Sequence, residues 1–148
     1  MAWSASKIFS AHLKDALDRT AVFDLDTDTL KVALFDNDIT PDNTVTAANS
    51  AYGAGQWVSA GNEVSDAAEW TVAGMALASK AVTFTTTTVK FDAADTASGA
   101  SATLAAVFGG FIYDDTLTTP VADQGVCYNY FGGTNSVIVV GPKGVVRS

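Results

Sequence analysis

Residues 102–115, ATLAAVFGGFIYDD, carry no charge until their last two positions. From Leu104 to Tyr113 the residues of both parities are apolar or small, the pattern of a central strand covered on both faces rather than half exposed to water. Gly109 and Gly110 interrupt the run. Paired glycines inside a strand mark a bulge, a sharp bend or the close approach of another backbone, so the strand is expected to bend there. Asp114, Asp115 and Thr116 then end it with turn chemistry.

The 148 residues suffice for one domain with a proper core and are too few for two comfortable ones, so residues 1–148 are expected to fold as a single domain. The net charge of -8 argues against binding nucleic acid or anionic membrane surfaces. No apolar run reaches the ~18 residues of a spanning helix. The N-terminus lacks the apolar core of a signal peptide, so no export is expected. Cys127 is the only cysteine, which excludes an internal disulfide and a multi-cysteine metal site.

Residues 4–19 read as an amphipathic helix, with Ile8, Phe9, His12, Leu13, Ala16 and Leu17 on one stripe, a Ser4 or Ser6 cap, and an Asp15–Arg19 pair. The β domain is expected over 29–148. Thr29–Asp36 alternates, placing Leu30, Val32 and Leu34 opposite Lys31, Ala33 and Phe35. Residues 37–57, rich in Asn, Asp, Thr and Gly, are expected to form an exposed loop. Tyr52 and Trp57, in its later part, either plug a core edge or meet another protein. Gly61–Ala78 is ambiguous, with a short helix starting at Ser65 and a strand over Gly74–Ala78 both compatible.

In Lys80–Asp92 the large apolar residues change parity, Val82 and Phe84 against Val89 and Phe91. This demands a bulge, a crossing between sheets or a tight turn; because threonine runs are poor turns, a bulge is expected. Further strands are expected in GVCYNYFGG, with Val126, Tyr128 and Tyr130 opposite Cys127, Asn129 and Phe131, and in SVIVVG. The fold class is therefore mainly β, a single antiparallel β-sandwich or barrel-like domain with one N-terminal amphipathic helix.

Little here advertises chemistry. His12 lies near the edge of a helix stripe, and Cys127 lies in a strand without a motif that would activate it. Asp114 and Asp115 are neighbours in a strand and point to opposite faces. Asp24, Asp26 and Asp28 alternate like the start of a calcium loop, but Thr29 and Phe35 stand where such a loop needs Gly and Glu, so a solvated loop is expected. No catalytic, cofactor-binding or metal site is assigned, and the chain reads as a non-enzyme.

Read whole, the segments LKVALFDNDITPD, SAYGAGQW, GMALASKAVTFTTTTVKFDAAD and VFGGFIYDDT with PVADQGVCYNYFGG resemble, in order and spacing, a diffuse family of small tailed-bacteriophage virion proteins. The closing SVIVVGPKGVVRS is shorter than the family's pattern and lacks its aromatic. The resemblance implies a β-rich structural protein of the particle, assembled in the host cytoplasm. It would be a capsid decoration (cement) protein bound to the major capsid protein or other virion subunits as a symmetric homo-oligomer. In that role Trp3, Ile8 and Phe9 would supply part of the shell or neighbour contact, with Tyr52 and Trp57 as further interface candidates. Alternatives are a tail, neck or baseplate-associated subunit, and a carbohydrate-binding β-sandwich using Trp57, Trp70 or Tyr128 as stacking platforms.

Overall fold

The computed structural model describes residues 3–99, 102–135 and 139–140. Its elements in chain order are β1 (Lys7–Ile8), α1 (Ser10–Leu17), β2 (Leu30–Phe35), α2 (Ala47–Ser50), α3 (Ser59–Asn62), β3 (Glu63–Val64), β4 (Met75–Ala76), β5 (Ala81–Thr85), β6 (Thr88–Asp92), β7 (Thr96–Ala97), β8 (Val107–Asp114), β9 (Gly125–Asn135) and β10 (Val139–Val140). The fold is mainly β and antiparallel, with one helix of two turns near the N-terminus. Among the described residues no helix is long and apolar enough to cross a membrane.

The main sheet has the order β1-β9-β8-β2-β3, with β4 sharing the outer edge of β2, and its path is open rather than closed into a barrel. β2 and β8 pair over their lengths, from Leu30 opposite Asp114 to Phe35 opposite Gly109. Their doubly apolar pattern has a direct cause, because each face of the sheet carries its own core. On one face Leu30, Val32, Leu34 and Ile112 pack with Trp70, Leu77, Leu104 and Val107. On the other Ala33, Phe35, Phe111 and Tyr113 pack with Trp3, Phe9, Ile39, Trp57 and Tyr128. The expected alternation in β2 and the expected central strand are both present, the latter starting at Val107.

Register shifts in the β8–β9 ladder lie beside Gly109 and again between Ile112 and Tyr113. At the second, Tyr113 opposes Gly125 and Ile112 opposes Cys127, leaving Val126 as an extra residue. That bulge turns Val126 into the first core while Tyr128 enters the second, which corrects the expectation that the two share a face.

The N-terminal reading also changes. Residues 7–8 are not helical but pair at the edge of β9, where the Phe9 N–H donates to Val126 O at 3.1 Å and Ser6 Oγ accepts from the Tyr130 N–H. The helix begins at Ser10, with Phe9 at its cap position and no side-chain cap, so neither Ser4 nor Ser6 caps it. Of the expected stripe only Phe9 and His12 are buried as assigned, whereas Ile8, Leu13 and Leu17 are exposed. Asp15 is buried and accepts from Gln124 Nε2 at 2.9 Å instead of pairing with Arg19, and the i, i+4 ion pair is Lys14–Asp18. A two-turn helix has little intrinsic stability, so the contacts of the aromatic residues ahead of it decide where it starts.

Lys80–Asp92 is a hairpin and not a bulged strand. β5 pairs with β6 from Ala81 opposite Asp92 to Thr85 opposite Thr88, across a tight turn in which Thr86 takes φ 51°. The parity change is the reversal of the chain. Val82 faces Phe91 and Phe84 faces Val89, so all four share one side. Of the two readings of 61–78, the strand is realised at Met75–Ala76, and 66–70 forms a turn closed by an Asp66–Trp70 bridge rather than a helix. Within SVIVVG, β10 pairs with β7; residues 136–138 and 141–148 lie outside the described residues.

Candidate functional site

The five interface candidates part company. Trp3, Phe9 and Trp57 are brought together inside the second core, and their side chains are therefore not available to a partner. Trp57 stacks on Phe111 with ring centroids 4.4 Å apart, while Trp3 and Phe9 each meet it edge-on at 5.9 Å. Trp3 Nε1 donates to the Asp36 carbonyl at 2.6 Å, which ties the N-terminus to the end of β2. The loop 37–57 thus folds back onto the sheet, with Ile39, Ser50, Ala51 and Trp57 buried.

Tyr52 is half-buried, stacked on Tyr113 at 4.9 Å, and its hydroxyl donates to Glu63 Oε2 at 2.7 Å. Burial raises the Glu63 carboxyl above its ordinary range, against the hydrogen bonds from Tyr52 and the Ala73 N–H. Only Ile8 is substantially open to solvent, on the edge strand opposite Cys127. Trp70 and Tyr128 are also interior, so none of the three aromatics considered for glycan stacking presents an open ring face.

The residues weighed for chemistry occupy separate settings. His12 packs edge-on against Phe23, and burial pulls its pKa down to about 4 although Asp15 opposes this, so the ring is neutral at pH 7. Cys127 lies against the first core, where burial pushes its thiol up to about 12, the reverse of an activated nucleophile. Asp115 pairs with Lys31 at 2.9 Å. Among the described residues no three His, Cys, Asp or Glu side chains are grouped to hold a metal ion.

Asp114 is the most unusual carboxyl. It is fully buried, and its Oδ1 accepts from the N–H groups of Thr116 and Leu117, shaping the turn after β8. Its Oδ2 meets no donor, and the Asp28 carboxyl lies near it. Burial first, and the adjacent Asp28 second, push Asp114 up to about 6. A folded-state value above the unfolded one means stability is greatest below the unfolded value, near pH 4, and is lost as pH rises through about 6. Asp114→Asn keeps the acceptor for the turn and removes the carboxylate charge that burial and the nearby Asp28 disfavour. It is expected to raise the melting temperature at pH 7.5 by about 4 to 8 °C, on the order of 2 kcal/mol, with the gain disappearing at pH 4 in paired thermal melts.

The remaining distinctive surface is apolar. Val82, Phe84 and Val89 on the open side of the hairpin are 43%, 72% and 71% exposed. Leu17 on the outer side of α1 and Val22 just beyond it are 86% and 77% exposed. The hairpin face was hidden in the sequence by the parity change; a two-residue turn at Thr86–Thr87 aligns all its apolar residues. No protein-family model matches this chain, and neither a curated protein nor a solved structure matches it at a significant level.

Proposed function

We propose that the chain is a non-enzymatic structural protein of a tailed-bacteriophage particle, most specifically a capsid decoration subunit held on the outer head surface by the major capsid protein. The observation that carries this reading is the distribution of apolar surface. The large aromatic side chains close two internal cores, whereas Val82, Phe84 and Val89 are turned to solvent on a hairpin. A chain that displays such a patch is suited to meeting other subunits. The acidic balance favours solubility before it is assembled.

The resemblance in segment order supports the same assignment. The loop 37–57, which would have reached a neighbouring ring in a tail or neck subunit, is folded against its own sheet, so the head position is the better supported of the two. Quantitative mass spectrometry of purified virions tests the proposal. A ratio of about one half to one copy per capsid subunit is expected of a lattice-wide decoration. A count of six or twelve per particle would move the protein to a tail or vertex position, and its absence from particles would overturn the structural role altogether.

A further inference from the structure

The hairpin is amphipathic in an unusual place. Its polar side carries Thr83, Thr85, Thr88 and Lys90, and its apolar side carries Val82, Phe84, Val89 and Phe91. Only Phe91, at the base, packs against the first core, and the Val82 N–H donates to the Asp26 carboxylate at the same end. The tip therefore extends with its apolar side open. A two-stranded hairpin is marginally stable in water without a third layer.

We infer that a second copy of this chain supplies that layer, its α1 and the turn after it receiving the hairpin tip. Leu13 and Leu17 lie one turn apart on the outer side of α1. Beside them Ala16, Arg19, Ala21, Val22 and Phe23 line an open groove of about 180 Å³. Among the described residues, the hairpin side and the Leu13, Leu17 and Val22 ridge beside this part-polar groove are two exposed apolar surfaces of one chain. Contact between unlike surfaces on identical subunits is head-to-tail, and it closes into a ring when the rotation permits.

Area and charge agree with this occupant. The exposed fractions of Val82, Phe84 and Val89 correspond to about 250 Å² of apolar side chain, and those of Leu13, Leu17 and Val22 to about the same. With interfaces roughly 57% apolar, about 500 Å² implies a total near 900 Å², the size of a weak, transient contact. Residues 80–92 carry Lys80, Lys90 and Asp92, a net charge of +1, which leaves -9 on the rest of the -8 chain. A copy of the chain is thus an acidic body to this arm; Arg19 lines the groove itself, and Asp24, Asp26 and Asp28 follow it in the chain. The inference concerns the chain alone and stands or falls independently of the particle reading.

The test is sedimentation velocity on the purified full chain at about 100 µM, above the micromolar Kd expected of so small an interface. Wild type is expected to sediment as an oligomer, and Phe84→Asp and Leu17→Asp each as a monomer with an unchanged melting temperature, since both side chains are exposed. In a Cys127→Ser background, Val89→Cys combined with Val22→Cys is expected to give interchain disulfides, and neither cysteine alone is. A monomeric wild type, or an oligomer that survives either aspartate, would overturn the inference. So would self-linking by Val89→Cys alone, which would mean that hairpins pack on each other.

Discussion

Trp57→Ala is expected to lower the unfolding free energy by about 3 to 5 kcal/mol, the range for deleting a buried indole and leaving its cavity. Trp57 is 2% exposed, and its ring is the meeting point of the second core, stacked on Phe111 and met edge-on by Trp3, Phe9 and Phe35. The surrounding rings come from the N-terminal segment, β2 and β8, so they cannot collapse into the space without moving the sheet. The loss would be a large share of the 5 to 15 kcal/mol available to a domain of about this size. Trp57→Phe keeps a ring against Phe111 and is expected to cost about half as much. Equilibrium urea unfolding measures both, with an unchanged m-value required for the comparison. Residues 37–57 should also become sensitive to limited proteolysis, because Trp57 anchors their end to the sheet. A cost below about 1 kcal/mol would place the ring outside the energetic core and leave the loop held by other contacts.

The parts of this fold that could be read from the sequence are those where a pattern is imposed by burial. β2 and β8 are covered on both faces, so their apolar residues follow strand periodicity without reference to distant partners. The N-terminal segment misled for the opposite reason. Its apolar residues satisfy a helical spacing, yet Trp3 and Phe9 are claimed by the aromatic core and residues 7–8 by the edge of β9, so helix begins only at Ser10. The hairpin was obscured by turn chemistry, since a β-branched Thr86 in the left-handed region is not a residue that turn preferences select. The same turn conceals the candidate docking surface, because Val82, Phe84, Val89 and Phe91 share a side only once the chain reverses. The bulge at Val126 had no signal in an alternating run, and it moved one residue of the expected aromatic face to the other core. Nor could periodicity reveal that Asp28 lies near the buried Asp114, a proximity across 86 positions of chain.

Gly109→Ala is expected to destabilise the protein by about 3 kcal/mol or more, by evicting Trp3 and by pressing on the β9 backbone. A Cβ at Gly109 would stand 2.3 and 2.5 Å from two atoms of the Trp3 ring and 2.6 Å from the Asn129 carbonyl oxygen. The carbonyl belongs to the adjoining strand β9 and yields only by straining the ladder, while the indole is pushed out altogether. With it go the edge-on contacts to Trp57 and Tyr128 and the hydrogen bond to Asp36 O. Gly110→Ala is the control. A Cβ there would lie 3.0 Å from the tip of Phe131 and 3.2 Å from a Val32 methyl, side-chain atoms that can yield, and its cost is expected to be smaller. Because both changes remove the same contact, Gly109→Ala combined with Trp3→Ala should cost far less than the sum of the two alone, a coupling of about 1 to 3 kcal/mol in a double-mutant cycle. Additive costs would mean that strain in the β8–β9 pairing is the whole effect, and that Trp3 keeps its place beside Trp57 when the glycine is gone.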